Sequence, residues 1–306
     1  MTRVAFVTYA DEPQLYYDDR PAAELLRSRG VEVEAVLWDS AAVRWEEFDA
    51  IILRSCWEYH LRTREFLDWI ALMEHQALPL WNPPAVVREN ADKHYLKALA
   101  ERGVAVAPTV WIEPGDDFDL ARIMEQEGWT RAVVKPAVSM SAYGTWVTTP
   151  AGAARDQREV RELPAGSAVM VQRFVPEVQT RGEWSFVFFM KEYSHAVLKM
   201  PKAGDFRVQR DFGGWWADSS PSQALVEEAR HIVERVEGPL LYARVDGVET
   251  DDGRLTLMEF ELIDPVLFLG RDAGAVHRFA DAIETLARRR NEAARLTPTP
   301  NEEGSL

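Results

Sequence analysis

Tyr242-Ala243-Arg244-Val245-Asp246-Gly247-Val248-Glu249-Thr250-Asp251-Asp252-Gly253-Arg254-Leu255-Thr256-Leu257-Met258-Glu259-Phe260-Glu261-Leu262-Ile263 reads as two β segments around a turn. Asp and Gly tolerate positive φ, so Asp252-Gly253 predicts a two-residue type I′ turn. Such a turn sets Asp251 opposite Arg254, Val248 opposite Leu257, Asp246 opposite Glu259 and Arg244 opposite Glu261. Side chains alternate across a strand, so Arg244, Asp246, Glu259 and Glu261 share one face. Val245, Gly247, Met258, Phe260 and Leu262 take the other, toward a core. Opposed Cβ atoms lie about 4.5 to 5.5 Å apart, which crowds the carboxylates around a single guanidinium. Like charges so close raise at least one pKa unless a cation intervenes. Magnesium suits the position, because it takes oxygen ligands and is held by one or two carboxylates together with substrate phosphates. The bland reading is a solvated charged face with Arg244 as its internal counterion. The apolar flanks, Leu240-Leu241 before and Val266-Leu267-Phe268-Leu269 after, favour a central hairpin instead.

Outward from the hairpin, the 306-residue chain divides into stretches of different pattern. Residues 1–85 alternate strand and helix signals, as a parallel α/β lobe does: Val4 to Thr8, a helix over Ala22 to Arg29, Val31 to Leu37, and Ala50 to Leu53. A helix near Arg64 to Glu74 and a short strand at Leu78 to Trp81 lead to the Asn82-Pro83-Pro84 break. Residues 86–171 form a second, α+β lobe. Asn90 opens a helix running to Arg102, and Ala132-Val133-Val134-Lys135 is a strand cut by Pro136. The small polar segment Ser139 to Thr145 is a mobile loop, and Ala168 to Gln172 is a strand. Residues 172–290 form a third lobe with a meander over Trp184 to Met200, a helix near Pro221 to Glu237, the acidic hairpin and a last helix over Ala275 to Arg290. Residues 291–306 carry little apolar content and are expected to be disordered.

Composition narrows the function. With 47% hydrophobic and 28% charged residues and no apolar run near the roughly 20 that a membrane span needs, the chain reads as soluble. Cys56 is the single cysteine, which leaves no disulfide framework and fits a reducing cytoplasm. The formal charge of -15 opposes a nucleic-acid surface, since affinity there rests on Lys and Arg neutralising phosphates. A nucleotide site needs local cations, and Lys135 at a strand end and Lys93 near a helix start are the candidates. Each is equally an ordinary surface lysine. No P-loop, dinucleotide fingerprint, His-Glu-x-x-His or serine-hydrolase elbow occurs.

Taken in order, a lysine at a helix start, a strand lysine before a small-residue loop, the strand into Gln172-Arg173-Phe174-Val175 and the acidic hairpin resemble the ATP-grasp superfamily over residues 1 to about 290. Arg244-x-Asp246 with Glu259-x-Glu261 is the most specific part of the likeness. The last position is often Asn in the family, so Glu261 leaves one or two metal ions open. The resemblance implies an ATP-grasp fold, an N-terminal parallel α/β lobe followed by two α+β lobes that clasp ATP. It implies a C–N bond-forming ligase that turns ATP into ADP and phosphate through a phosphorylated carboxylate. Carried over residue by residue, Lys93, Lys135 and Ser141 contact the ATP phosphates, and Gln172, Arg173, Phe174 and Val175 hold adenine. Either Glu177 or Glu183 holds the ribose. Asp246, Glu259 and Glu261 ligate magnesium, and Arg244 stabilises the transferred phosphoryl group.

Arg54-Ser55-Cys56-Trp57-Glu58-Tyr59, Asn82-Pro83-Pro84 with Asn90-Ala91-Asp92-Lys93, and Gly204-Asp205-Phe206-Arg207-Val208-Gln209 resemble a narrower branch. It contains the O-ureido-D-serine cyclo-ligase of cycloserine biosynthesis and glutathione-synthetase-like ATP-binding domains. There Arg54 and Arg207 bind a substrate carboxylate or the γ-phosphate, or else form structural ion pairs. A Ser commonly follows the Pro of the closing motif in that branch, whereas Val266 follows Asp264-Pro265 here. The partner implied is a small amino acid or carboxylate, with a homo-oligomer left open. The rival readings are an intramolecular cyclo-ligase and a non-catalytic ATP-binding regulator.

Overall fold

The computed structural model describes residues 1–163 and 166–296, built on three sheets. The first is parallel, in the order β2-β1-β3-β4, from β1 (Arg3–Thr8), β2 (Glu32–Leu37), β3 (Ala50–Ser55) and β4 (Leu80–Trp81). The central strands β1 and β3 read as unbroken apolar runs because both faces are covered. On one face α1 (Arg20–Ser28) packs Ala22 and Leu26 against Val4 and Phe6. On the other, α2 (Thr63–His75) packs Phe66 and Ile70 against Ala5 and Val7.

One helix was expected over residues 90–102, and there are two, α3 (Pro84–Asn90) and α4 (Tyr95–Glu101). Pro84 opens the first, where its missing N–H is harmless. The Asp92 carboxylate then accepts the amide of His94 at 3.0 Å, a local bond that competes with the helix and leaves Lys93 in the bend. The second sheet, β5-β8-β6-β7, is antiparallel and consists of β5 (Thr109–Ile112), β6 (Ala132–Pro136), β7 (Trp146–Thr148) and β8 (Val169–Arg173). Its cover, α5 (Leu120–Glu127) and α6 (Ala153–Arg161), was not anticipated. Yet Asp119 caps α5 by accepting the Arg122 amide at 3.1 Å, and Gly128 ends it at φ 66°, both readable signals.

The third sheet, β11-β10-β9-β12-β13, follows the short helix α7 (Glu177–Thr180). It comprises β9 (Glu183–Phe189), β10 (Glu192–Met200), β11 (Trp215–Ala217), β12 (Tyr242–Glu249) and β13 (Leu255–Glu261), all antiparallel. Helix α8 (Gln223–Glu234) covers it, and α9 (Ala275–Leu296) runs back to the first sheet and α1. Phe279 of α9 stacks on Phe189 at 5.2 Å and lies 6.3 Å from Phe6, so the first and third sheets share a core. The helix continues through residues 291–296, where disorder was expected. Residues 297–306 of that expected tail lie outside the described residues.

The β12–β13 hairpin pairs Arg244 with Glu261 and Asp246 with Glu259, as the sequence implied, although its turn differs. Thr250 pairs with Arg254 around the three-residue loop of Asp251, Asp252 and Gly253, the last at φ 76°. Val248 therefore faces Thr256 rather than Leu257. A bulge between Asp246 and Gly247 then absorbs Met258 and restores the register at the charged end. The same bulge turns Met258 away from the core face assigned to it and into a cavity.

Candidate functional site

A cavity of about 360 Å³ opens between the second and third sheets, a size suited to a small-molecule ligand. One end is apolar, with Val133 of β6, Phe174 and Val175 after β8, Val178 of α7 and Met258 of β13. The amides of Arg173 and Phe174 already serve the carbonyls of Pro108 and Arg131, at 2.7 and 3.2 Å. The Val175 amide has no acceptor among the described residues. Gln172 lines the wall, its side-chain amide donating to Thr109 Oγ1 at 3.2 Å, while the Arg173 side chain is exposed and stands outside the cavity.

The other end is charged. Lys135, on β6, is half-buried, has no hydrogen-bond partner among the described residues and borders the cavity. Burial pulls its pKa down while Glu259 opposes the shift. Lys93 Nζ donates to the Ser139 carbonyl at 2.5 Å and lies 3.2 Å from Glu259 Oε1. Above them the loop holding Ser139, Met140, Ser141 and Ala142 forms a roof, with Ser141 and Ala142 left-handed at φ 48° and 58°. The ring of Tyr143 meets His60 of the first lobe at 5.1 Å, tying the roof across.

The crowded square of three carboxylates does not form. Asp246 is saturated: Ser185 Oγ donates to Oδ1 at 2.5 Å and Arg244 Nε at 3.0 Å. Arg244 Nη2 and Lys199 Nζ donate to Oδ2 at 2.8 and 3.1 Å. Burial works against its charge, but Arg244 and Lys199 overcome that and hold its pKa down at about 2. Both oxygens of Asp246 are thus engaged by protein donors, and no three acids converge into a ligand set among the described residues. Glu259 and Glu261 remain. Each faces the cavity and is touched by a cation, Lys93 or Arg244, through Oε1, leaving Oε2 without a described donor. Burial would raise both, yet Lys93 and Lys135 lower Glu259. Glu261, with Asp246 and Glu259 as negative neighbours, rises to about 8. Two cavity-facing carboxylates with free oxygens fit a magnesium ion that takes its remaining ligands from phosphate and water.

Lys199 escaped the sequence reading, although it alternates with core residues on β10 and faces Glu183 across the β9–β10 ladder. Its ammonium lies 2.5 Å from Glu183 Oε1. Of the two ribose candidates Glu183 borders the cavity, and Glu177 stands outside it at the start of α7.

Residues 4–82 match the family described as D-cycloserine synthetase DcsG, N-terminal domain. The cycloserine biosynthesis protein DcsG of Streptomyces lavendulae is 33% identical over 306 residues, covering 92% of this chain and 97% of that protein. The chain belongs to the DcsG family. The crystal structure of D-cycloserine synthetase DcsG superposes with a TM-score of 0.79 at 31% identity, over 94% of this chain and 99% of that one. The D-alanine–D-alanine ligase of Bacillus anthracis complexed with ATP shares the fold, with a TM-score of 0.69 at 15% identity, over 96% of this chain and 100% of that one. This member of the DcsG family is accordingly an ATP-grasp ligase.

Of the two arginines expected either at the substrate or in structural ion pairs, one stands away from the cavity and one borders it. Arg54 is 1% exposed and does not border the cavity. Its guanidinium is committed to Asp19 Oδ1 and the Pro265 carbonyl, both at 2.9 Å, so it is a structural ion pair. Arg207 does border the cavity, but Asp205 holds its Nη2 at 2.9 Å and Phe212 stacks beneath it at 3.8 Å. Arg210 lines the cavity over Trp216 at 4.7 Å with no carboxylate partner among the described residues.

Proposed function

We propose that the chain binds ATP with magnesium in this cavity and transfers the γ-phosphoryl group to a small carboxylate, or to a comparable carbonyl oxygen such as a ureido group, for attack by an amine. The observation that carries the reading is the polarity of one cavity, apolar beside the unpaired Val175 amide and lysine-lined at the opposite end. That division matches a nucleotide with its base at one end and its phosphates at the other. Adenine lies against Phe174 and Met258 with the Val175 amide as donor, and Glu183 takes the ribose. Lys93, Lys135 and Lys199 receive phosphate oxygens, and the roof over Ser141 keeps water from the activated acyl group.

Glu259 and Glu261 hold the magnesium ion, which when bound neutralises phosphate charge as it builds. Arg244, fixed by Asp246, Glu261 and the Val266 carbonyl at 3.0 Å, presents a set positive charge to the phosphoryl group and to the tetrahedral centre that follows. Arg210 is the guanidinium free to take a substrate carboxylate.

The second reading places the amine in the same molecule as the carboxylate, and the full-length likeness to a cycloserine synthetase favours it. The test is magnesium-dependent ADP release against D- and L-amino acids and O-ureido-D-serine, with and without a second amine. Release with one substrate alone, giving a cyclic product, selects the intramolecular reading. No release with any of them rejects ligase action on amino acids.

A further inference from the structure

Asp264 borders the cavity, three residues beyond Glu261, and is 3% exposed. Its Oδ2 accepts the amide of Cys56 at 2.6 Å. No described residue donates to its other oxygen, which is not sealed in protein as the unpaired oxygens of Asp18 and Asp19 are. The carboxylate is held from behind. Trp57 Nε1 donates to the Asp264 carbonyl at 3.2 Å, and the next carbonyl, of Pro265, receives the buried Arg54–Asp19 pair. Around it the wall is aromatic, with Tyr16 edge-on to Trp57 at 4.7 Å and Tyr59 and Phe268 beside them. A buried carboxylate clamped through one oxygen, bordering the cavity with the other unpaired, is a site for an N–H group.

We propose that Asp264 is the catalytic base that accepts the proton of the attacking nitrogen. The proposal rests on the acyl-activation reading above. As the N–C bond forms, the C–O bond to phosphate breaks and phosphate leaves with the electron pair. The nitrogen's proton passes to the free oxygen of Asp264 and thence to water. The charged and titratable groups around this carboxyl are Arg54 and Arg244, which favour its charge, and Glu58, which opposes it. The Cys56 thiol and the Tyr9, Tyr59 and Tyr242 phenols stay neutral there, since burial raises each of them. Burial prevails over the Cys56 amide and the arginines and lifts Asp264 to about 7, where a general base works best at neutral pH.

The test separates activation from attack. Hydroxylamine reacts with acyl phosphates without a catalytic base, so hydroxamate yield reports phosphoryl transfer, and product formation reports attack by the natural nitrogen. The probes are the amino-acid panel above with ATP, magnesium and hydroxylamine. Asp264→Asn keeps an acceptor for Cys56, and Asp264→Ser is a second variant should the first misfold. The expected result is a loss of ligation of about 100-fold with hydroxamate yield unchanged, and disappearance of the acid limb of the wild-type pH–rate profile. Ligation within threefold of wild type, or equal loss of ligation and hydroxamate in both variants, overturns the role of Asp264 alone. Absence of hydroxamate from the wild-type enzyme with every acid overturns the activation reading itself.

Discussion

Glu259 stands between Lys93 and open cavity, 3.2 Å from the ammonium and with its second oxygen free, so it is the carboxylate best placed to hold an ion against phosphate. Glu259→Gln keeps the volume and removes the charge. Ligation is expected to fall at least about 100-fold with the unfolding midpoint little changed, read by coupled ADP release and thermal melting. Asp19 behaves differently, because it sits sealed against Arg54. Burial outweighs Arg54 and raises its carboxyl from the ordinary value to about 6. Between those two values the folded chain binds more protons than the unfolded one, so this group stabilises below the lower value and its contribution disappears as pH rises through about 6. The slope is at most about 1.4 kcal/mol per pH unit. Asp264 and Glu261, also raised, add slopes of the same sign, so urea titrations between pH 4 and 6 should give Asp19→Asn a slope shallower than wild type by up to that amount.

The hairpin of β12 and β13 is held by side chains from outside its own sheet. Asn90, at the end of α3, donates to the Phe260 carbonyl at 2.7 Å and accepts the Leu262 amide at 2.9 Å. Asn82 bridges the carbonyls of Tyr242 and Leu262 and accepts the Leu241 amide. Asn90→Ala leaves a buried carbonyl and amide unpaired and should cost about 1 to 3 kcal/mol, measured by urea denaturation, with hydrogen exchange faster at Leu262. These bonds give a physical reason for the two asparagines that the sequence marked as a chain break, a helix start and part of a resemblance. Alternation made the shared face of the charged residues legible, and the pairing of Arg244 with Glu261 and Asp246 with Glu259 came out as read because two unread shifts cancel. The three-residue loop and the bulge at Met258 were not legible, because they shift the register in opposite senses and leave the charged end as if neither existed. The acid square failed for a different reason. Lys199 comes from β10, two strands away in the sheet, and nothing in the hairpin's own sequence announces a cation supplied from there.

Across the whole molecule, most strands and the parallel α/β pattern of the first lobe followed from periodicity, whereas β11, the pairing between distant strands and the return of α9 to the first lobe did not. Its helical pattern shows that a face is apolar, but not which surface that face covers. Phe279 sits in the joint between Phe6, Phe189 and Tyr242, fully buried. Phe279→Ala should lower stability by about 3 to 5 kcal/mol, followed in urea by tryptophan emission, and should loosen the first and third sheets together.

Two of the three lysines bordering the cavity are already answered by carboxylates, and Lys135 is not. Lys93 is matched by Glu259, and Lys199 by Glu183 and Asp246. A bare polyanion gains little from ammonium groups already matched, and a lone divalent ion gains little from acids already answered. Arriving together, each releases the partner the other needs, so their affinities are reciprocal, each raising the other by the same factor. On the proposed reading the cleft is a latch that yields to the two ligands jointly and resists either one singly.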